Sequence, residues 1–309
     1  MKSQRPAREN FEMIRNAVNI VTAASLICLA SSTLHAQDDT ASSSSAEDVA
    51  RQLANPNTTL ATLGFPLDYI AYDGTLPGAA DQSAWKLSFQ PSLPYPLSKS
   101  TNLFVRPMIP LFLDQPVPVV GGASILPPGS DAGALDFSST GLQLGDIGFD
   151  AAIGRSFSNG VILIGGVVGS LPTATDDRIG LDQYLLGPEL MLGKVGGWGA
   201  VGLLVTHQWD VAGEDSFDTS ITGGQYFYTF NLKNAWQISA QPTFSYNHEA
   251  DSGNRLTLPI GIGISKTKVI GKTPWKFALQ YWHYVEQPDN FGPDFQIRLQ
   301  VSPVIPLPW

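Results

Sequence analysis

The chain has 309 residues, 43% of them hydrophobic and only 15% charged, with 27 acidic against 18 basic side chains and a net charge of −9. Soluble domains average about 25% charged residues, and disordered chains combine low hydrophobicity with high charge, so neither class fits. The acid excess excludes nucleic-acid binding through a basic face, and 30 Gly with 23 Pro favour strands and turns over long helices.

Lys2, Arg5, Arg8 and Arg15 precede an apolar stretch from Ala17 to Ala30. At about 14 residues it suits the core of an export signal and is short for a membrane-spanning helix. Leu34-His35-Ala36 supplies a cleavage site before Gln37, so 1–36 reads as a signal peptide. The only cysteine, Cys28, lies inside it, and Ile27 stands where a lipoprotein signal carries a small residue. The exported chain therefore has neither disulfides nor a thiol nucleophile. Residues 37–58 read as a polar linker, Ser-rich at first. A short helix opens at Ser45-Ala46-Glu47-Asp48 and runs to about Leu53, with Val49 and Leu53 on one side, until Asn55-Pro56 stops it.

From 59 to 309 the pattern has a period of two. Phe295, Ile297, Leu299 and Val301 alternate with Gln296, Arg298, Gln300 and Ser302. Leu256 to Ser265, Trp236 to Asn247, Trp275 to Trp282 and Trp85 to Ser92 show the same alternation. Twelve strands are predicted, at 60–72, 83–94, 101–113, 142–154, 161–172, 183–193, 197–210, 222–232, 235–247, 254–265, 273–285 and 293–305. Each is long enough for a tilted membrane strand of about 9–11 residues, and the even number is what a bacterial outer-membrane barrel carries. In the seventh, Trp198 and Ala200 follow one parity while Val201, Leu203, Val205 and Trp209 follow the other, which predicts a bulge near Gly202.

A soluble sandwich also alternates, and three features separate the two architectures. Short links (95–100, 155–160, 194–196, 233–234, 266–272) tend to alternate with longer ones (73–82, 114–141, 173–182, 211–221, 248–253, 286–292), although 248–253 is no longer than 266–272. The short links hold Lys99, Arg155, Lys194, Lys233, Lys266, Lys268 and Lys272 and no acid, whereas the long links hold fifteen carboxylates and one base, Arg178. Aromatics gather at strand ends: Trp198, Trp236, Trp275 and Trp309 at the short links, Trp85 and Trp209 with Tyr184, Tyr226, Tyr246 and Tyr281 towards the long ones. Interfacial girdles of this kind border a membrane barrel. The predicted fold is all-β, a closed antiparallel transmembrane β-barrel of about twelve strands in the cell outer membrane. The first strand must meet the last, because an open edge leaves unpaired backbone groups in hydrocarbon.

The polar parity, projected inward, places Asp68, Lys86, Arg106, Asp146, Asp150, Glu189, Lys276 and Arg298 on the lumen. Arg106 neighbours Asp146 and Asp150, and closure brings Asp68 beside Arg298. These charges read equally as a field lining a pore or as ion pairs holding register in a filled interior. The long link 114–141, rich in Pro and Gly, reads either as a constriction folded into the mouth or as an outer loop. Loop carboxylates, densest at Asp176, Asp177 and Asp182, are expected to be solvated, and no calcium-loop pattern occurs.

No nucleophile-elbow, zinc-protease, Walker or dinucleotide motif is present. Ser252 near His248 is poor ground for a nucleophile–base pair, and His207 and His283 fall at strand ends. The expectation is no enzyme, no cofactor and no metal.

Gly141-Leu142-Gln143-Leu144-Gly145-Asp146-Ile147 resembles the Gly-x-Gly-Asp-Ile strand of outer-membrane proteins associated with the phenol degradation meta-pathway, with Gln143 where a Gly is usual. Leu171-Pro172-Thr173-Ala174-Thr175-Asp176, Gly187-Pro188, His207-Gln208-Trp209, Leu258-Pro259-Ile260-Gly261 and Asn55-Pro56 resemble further landmarks of that family in order, over about residues 46–309. The resemblance implies an outer-membrane transporter of small, often apolar or aromatic, molecules. Separately, the terminal Trp309 resembles the C-terminal aromatic that outer-membrane barrels present to the barrel assembly machinery. Expected partners are outer-membrane lipid, lipopolysaccharide and a small-molecule solute. The alternative is a structural or surface-interaction barrel with a plugged lumen.

Overall fold

The computed structural model describes residues 45–120 and 135–308. The signal peptide, the first part of the linker, the middle of the 114–141 link and Trp309 lie outside these residues.

Helix α1 (Ala46–Ala54) forms where the capping pattern places it. Ser45 caps it by accepting the Asp48 amide at 3.2 Å, Glu47 and Asp48 sit in the positive first turn, and Arg51 lies in the last. Val49, Ala50 and Ala54 are buried.

The strands are β1 (Ala61–Asp73), β2 (Ser83–Pro96), β3 (Thr101–Asp114), β4 (Pro116–Val120), β5 (Leu135–Ser139), β6 (Gln143–Leu144), β7 (Ile147–Ser156), β8 (Val161–Leu171), β9 (Gln183–Gly196), β10 (Gly199–Gly213), β11 (Ser220–Asn231), β12 (Trp236–Ala240), β13 (Thr243–Asn247), β14 (Leu256–Ile270), β15 (Thr273–Glu286) and β16 (Gly292–Ile305). β4 and β5 form a separate hairpin. The others close into one antiparallel ring of twelve staves. β6 continues β7 along β3, and β12 with β13 make one stave between β11 and β14. β1 pairs with β16 from Ala61↔Ile305 to Asp73↔Gly292, so the sheet has no free edge.

The apolar parity faces outward. Leu190 is 57% exposed, and Ile260 and Ile262 are 62% and 61% exposed, although they lie in mid-strand. A water-soluble sandwich would bury such a set. The inward parity mixes polar residues with an apolar cluster of Phe104, Ala152, Ile162, Ile164 and Met191.

Three expectations change. No bulge occurs at Gly202: β9 and β10 stay in register from Gly199 to Thr206, and the shift comes at Asp210–Ala212. Ala200 faces inward with the strand's parity, and the switch lies in the turn, where Gly199 adopts φ +139 and a Cβ would stand 1.7 Å from the Thr229 carbonyl oxygen. The described ends of the 114–141 link are strands, paired from Pro116↔Ser139 to Val120↔Leu135. Lys194, Lys266 and Lys268 belong to strands rather than links, because β9 runs to Gly196 and β14 runs to Ile270 before a turn at Gly271-Lys272.

Candidate functional site: a chamber in the barrel lumen

The short-turn end of the ring is spanned from inside. Gln237, on the inward face of β12, donates to the Ala50 carbonyl of α1 at 2.9 Å, and Glu47 accepts the Asn234 amide at 2.7 Å. The chain then crosses to the opposite wall. Asn57 donates to the Ser100 carbonyl (3.1 Å) and to Ser156 Oγ (2.8 Å), and Asn102 donates back to the Asn57 carbonyl (3.0 Å). Asn55 and Asn57 are part of this strap, and nothing in the alternation of the strands signals it.

Above the strap lies a chamber of about 490 Å³. Leu53, Ala54, Asn55 and Pro56 form its floor. Met108, Met191, Leu204 and Phe227 give one side an apolar lining, while Gln241, Gln280, Gln300 and Ser302 give the other a polar one. Projecting only the polar parity inward misses this apolar side; the signal for it is that β3 and β8 to β10 carry hydrophobic residues on both parities.

The predicted inward charges fall into two clusters and two separate residues. Barrel closure sets Asp68 against Arg298 in a bidentate pair (2.6 and 2.9 Å), with Gln296 donating at 2.9 Å and the Lys86 ammonium 3.9 Å away. Arg298 also lies over the Trp282 ring at 4.5 Å. Further round the wall, on β3, β7 and β9, Arg106 binds Asp150 at 2.7 Å and reaches Glu189 at 3.5 Å. Arg106, Asp150, Lys276 and Arg298 border the chamber, whereas Asp68, Lys86 and Glu189 stand behind them. Lys276 makes no hydrogen bond or ion pair among the described residues.

Asp146 is set apart from the others. It lies between β6 and β7 at the outer end, where it accepts the amides of Thr173, Ala174 and Leu181 at 3.0 Å each. Its carboxylate staples the outer loops rather than facing the chamber, because the strand breaks at Gly145-Asp146 and parity no longer applies. Nearby, Arg178 grips Asp176 (Nε–Oδ1 2.9 Å) and donates to Ser138 of β5 at 2.7 Å, tying the hairpin to the 173–182 loop. Those hydrogen bonds hold the Asp176 carboxyl down at about 2.

One stretch of wall lacks backbone pairing. β12 pairs with β14 from Trp236↔Lys266 only as far as Ile238↔Ile264, and β13 meets it at Ser245↔Thr257 and Tyr246↔Leu256. Two tyrosines of β11 bridge the gap on the outer face: Tyr226 Oη donates to the Pro259 carbonyl (3.0 Å) and accepts the Gly261 amide (3.1 Å), and Tyr228 Oη donates to the Gly261 carbonyl (2.8 Å). Pro242 and Pro259 remove two amide donors that would otherwise lack partners here. Tyr226 belongs to the strand-end aromatics of the sequence pattern and Tyr228 does not; the hydroxyls of both complete the sheet.

Trp198, Trp209 and Trp236 are exposed on the outer surface, Trp85 packs on Tyr69, and Trp275 is covered. His207 and His248 both turn to Thr222 Oγ1, at 2.7 and 2.8 Å. Among the described residues His248 does not bond to Ser252, and no cluster of three metal-ligating side chains occurs.

A closed sheet with an apolar outer band, exposed Trp198, Trp209 and Trp236 and a partly polar interior is an outer-membrane β-barrel, and the protein resides in the outer membrane. No protein-family model matches the chain. No curated protein matches it either. Among solved structures it is similar to an outer membrane channel from Pseudomonas putida F1, with 15% identity, 80% of this chain and 94% of that one covered and a TM-score of 0.55. It also matches the NanC porin (6% identity, 79% and 100% covered, TM-score 0.47) and the CymD monoaromatic hydrocarbon channel (12%, 83% and 92%, 0.39). At these identities the likeness is one of fold.

Proposed function

We propose that the protein is a passive outer-membrane channel for small molecules, apolar or aromatic ones among them. The observation that carries this reading is the chamber: about 490 Å³, polar on one side and apolar on the other, in the size range of small-ligand sites. The resemblance to the meta-pathway proteins points the same way, and the Pseudomonas putida barrel of similar fold is itself described as a channel. The cluster of Asp68 with Arg298 and Lys86 and that of Arg106 with Asp150 and Glu189 offset each other, and Lys276 leaves one positive charge over, so a weak preference for anions is expected.

A plugged structural barrel is the second reading, and the α1 strap favours it. Planar-bilayer recording of the purified protein, with uptake assays on a deletion strain, separates the two. Small unit conductance and slowed uptake of aromatic solutes are expected. A barrel without conductance, and a deletion strain without an uptake defect, would remove the channel.

A further inference from the structure

The chamber contains a cation that nothing among the described residues neutralises. Asp68 serves both Arg298 and Lys86, and Arg106 serves both Asp150 and Glu189. Lys276 borders the same space with no carboxylate, carbonyl or hydroxyl within bonding distance among the described residues. Its neighbours in register are Thr267 on β14 and Ser302 on β16. Thr267 Oγ1 is buried and also without a partner. Two unsatisfied polar groups, one charged and one a hydroxyl, thus stand side by side where burial makes each costly.

A structural role for Lys276 would be to neutralise the C-terminal carbonyls of α1, whose last turn also borders the chamber. No bond from the ammonium to those carbonyls is present, and Asn55 already caps one of them through Gln52.

We infer that Lys276 is the recognition point for the carboxylate of a small amphiphilic acid, whose apolar body lies against Met108, Met191, Leu204 and Phe227. The chemistry selects the class. A lone ammonium matches a monoanion, whereas a phosphate dianion would leave one charge unpaired. Hydroxyls beside the ammonium suit a planar two-oxygen acceptor. An apolar wall across a chamber of about 490 Å³ suits a ring or a short alkyl chain rather than a sugar. The site deepens the channel reading, on which its physiological meaning rests.

The test measures binding, not passage, so that the two readings fail separately. Full-length protein in detergent is titrated calorimetrically with benzoate and octanoate, and with benzamide and octanamide as neutral isosteres. At least one acid is expected to bind about tenfold or more tighter than its amide, the scale of one charge-assisted contact. Lys276→Gln abolishes that preference and Lys276→Arg keeps it, with heat-modifiable gel migration showing that both variants fold. Binding of neither acid, equal affinity for acid and amide, or a preference that survives Lys276→Gln would overturn the proposal. Acid binding by a barrel that passes no current would leave the site standing and remove the channel.

Discussion

At the scale of single residues, the Asp68 cluster makes an asymmetric prediction. Asp68 is fully buried and answers two cations, Arg298 at 2.6 Å and Lys86 at 3.9 Å. Removing one partner of a buried ion pair costs about 3–5 kcal/mol because the other charge is left uncompensated. Asp68→Asn leaves two cations facing each other and belongs at the upper end of that range. Arg298→Gln leaves Asp68 with Lys86 and belongs at the lower end. Urea unfolding of the two variants in lipid should rank them in that order, and equal losses would show that Lys86 does not share the carboxylate. A pH effect is expected at the outer loops. The Asp176 carboxyl is held at about 2 by Arg178 against an ordinary 3.8, so its contribution to loop order is complete above about 4 and lost as pH falls through about 2. Protease nicking of the 173–182 loop should therefore stay low at pH 4, where Asp176→Asn should raise it, and variant and parent should converge as pH falls below about 2.

At the scale of elements, the seam beside β14 rests on side chains where backbone pairing stops. Tyr226→Phe leaves the Pro259 carbonyl and the Gly261 amide without partners, while Tyr228→Phe leaves only the Gly261 carbonyl. An unsatisfied buried group costs about 1–3 kcal/mol, and hydrocarbon offers no water to replace the lost partner. Tyr226→Phe should thus destabilise the barrel more than Tyr228→Phe, and hydrogen exchange should rise first at Gly261. The alternation between Trp236 and Asn247 displayed one stave, and one stave is present. It could not display the seam, because a strand's own pattern shows which face a residue takes and not whether the neighbouring strand comes close enough to bond. The same limit explains Asp146 and the α1 strap. The capping residues Ser45, Glu47 and Asp48 specify a helix, but its place across the lumen depends on Gln237 and Asn234, nearly two hundred residues away. Asp68 with Arg298 was readable because barrel closure alone fixes that pair.

At the scale of the whole molecule, the decisive question is which solvent meets the outer face. The exposure of Leu190 and the register Leu190↔Val205 and Lys194↔Val201 place Leu190 in mid-wall and Val201 level with a lysine near the short turns. In water an exposed leucine is replaced by arginine at little cost, because neither residue leaves the solvent. In a bilayer the cost depends on depth, about 2–4 kcal/mol at the midplane and about 0–1 kcal/mol near the interface. Leu190→Arg should therefore lower stability in lipid vesicles by several times the effect of Val201→Arg, and both losses should shrink in detergent micelles, which deform around a charge. Equal small losses in lipid would mean that the wall is not embedded. Chamber, seam and Lys276 would then be features of a water-filled surface rather than of a passage through a membrane. A strong depth dependence fixes the bilayer midplane on the barrel. It also places Lys276, eight residues along β15 from Tyr284 and next to the short turns, in the periplasmic half, where a bound acid would be released towards the periplasm.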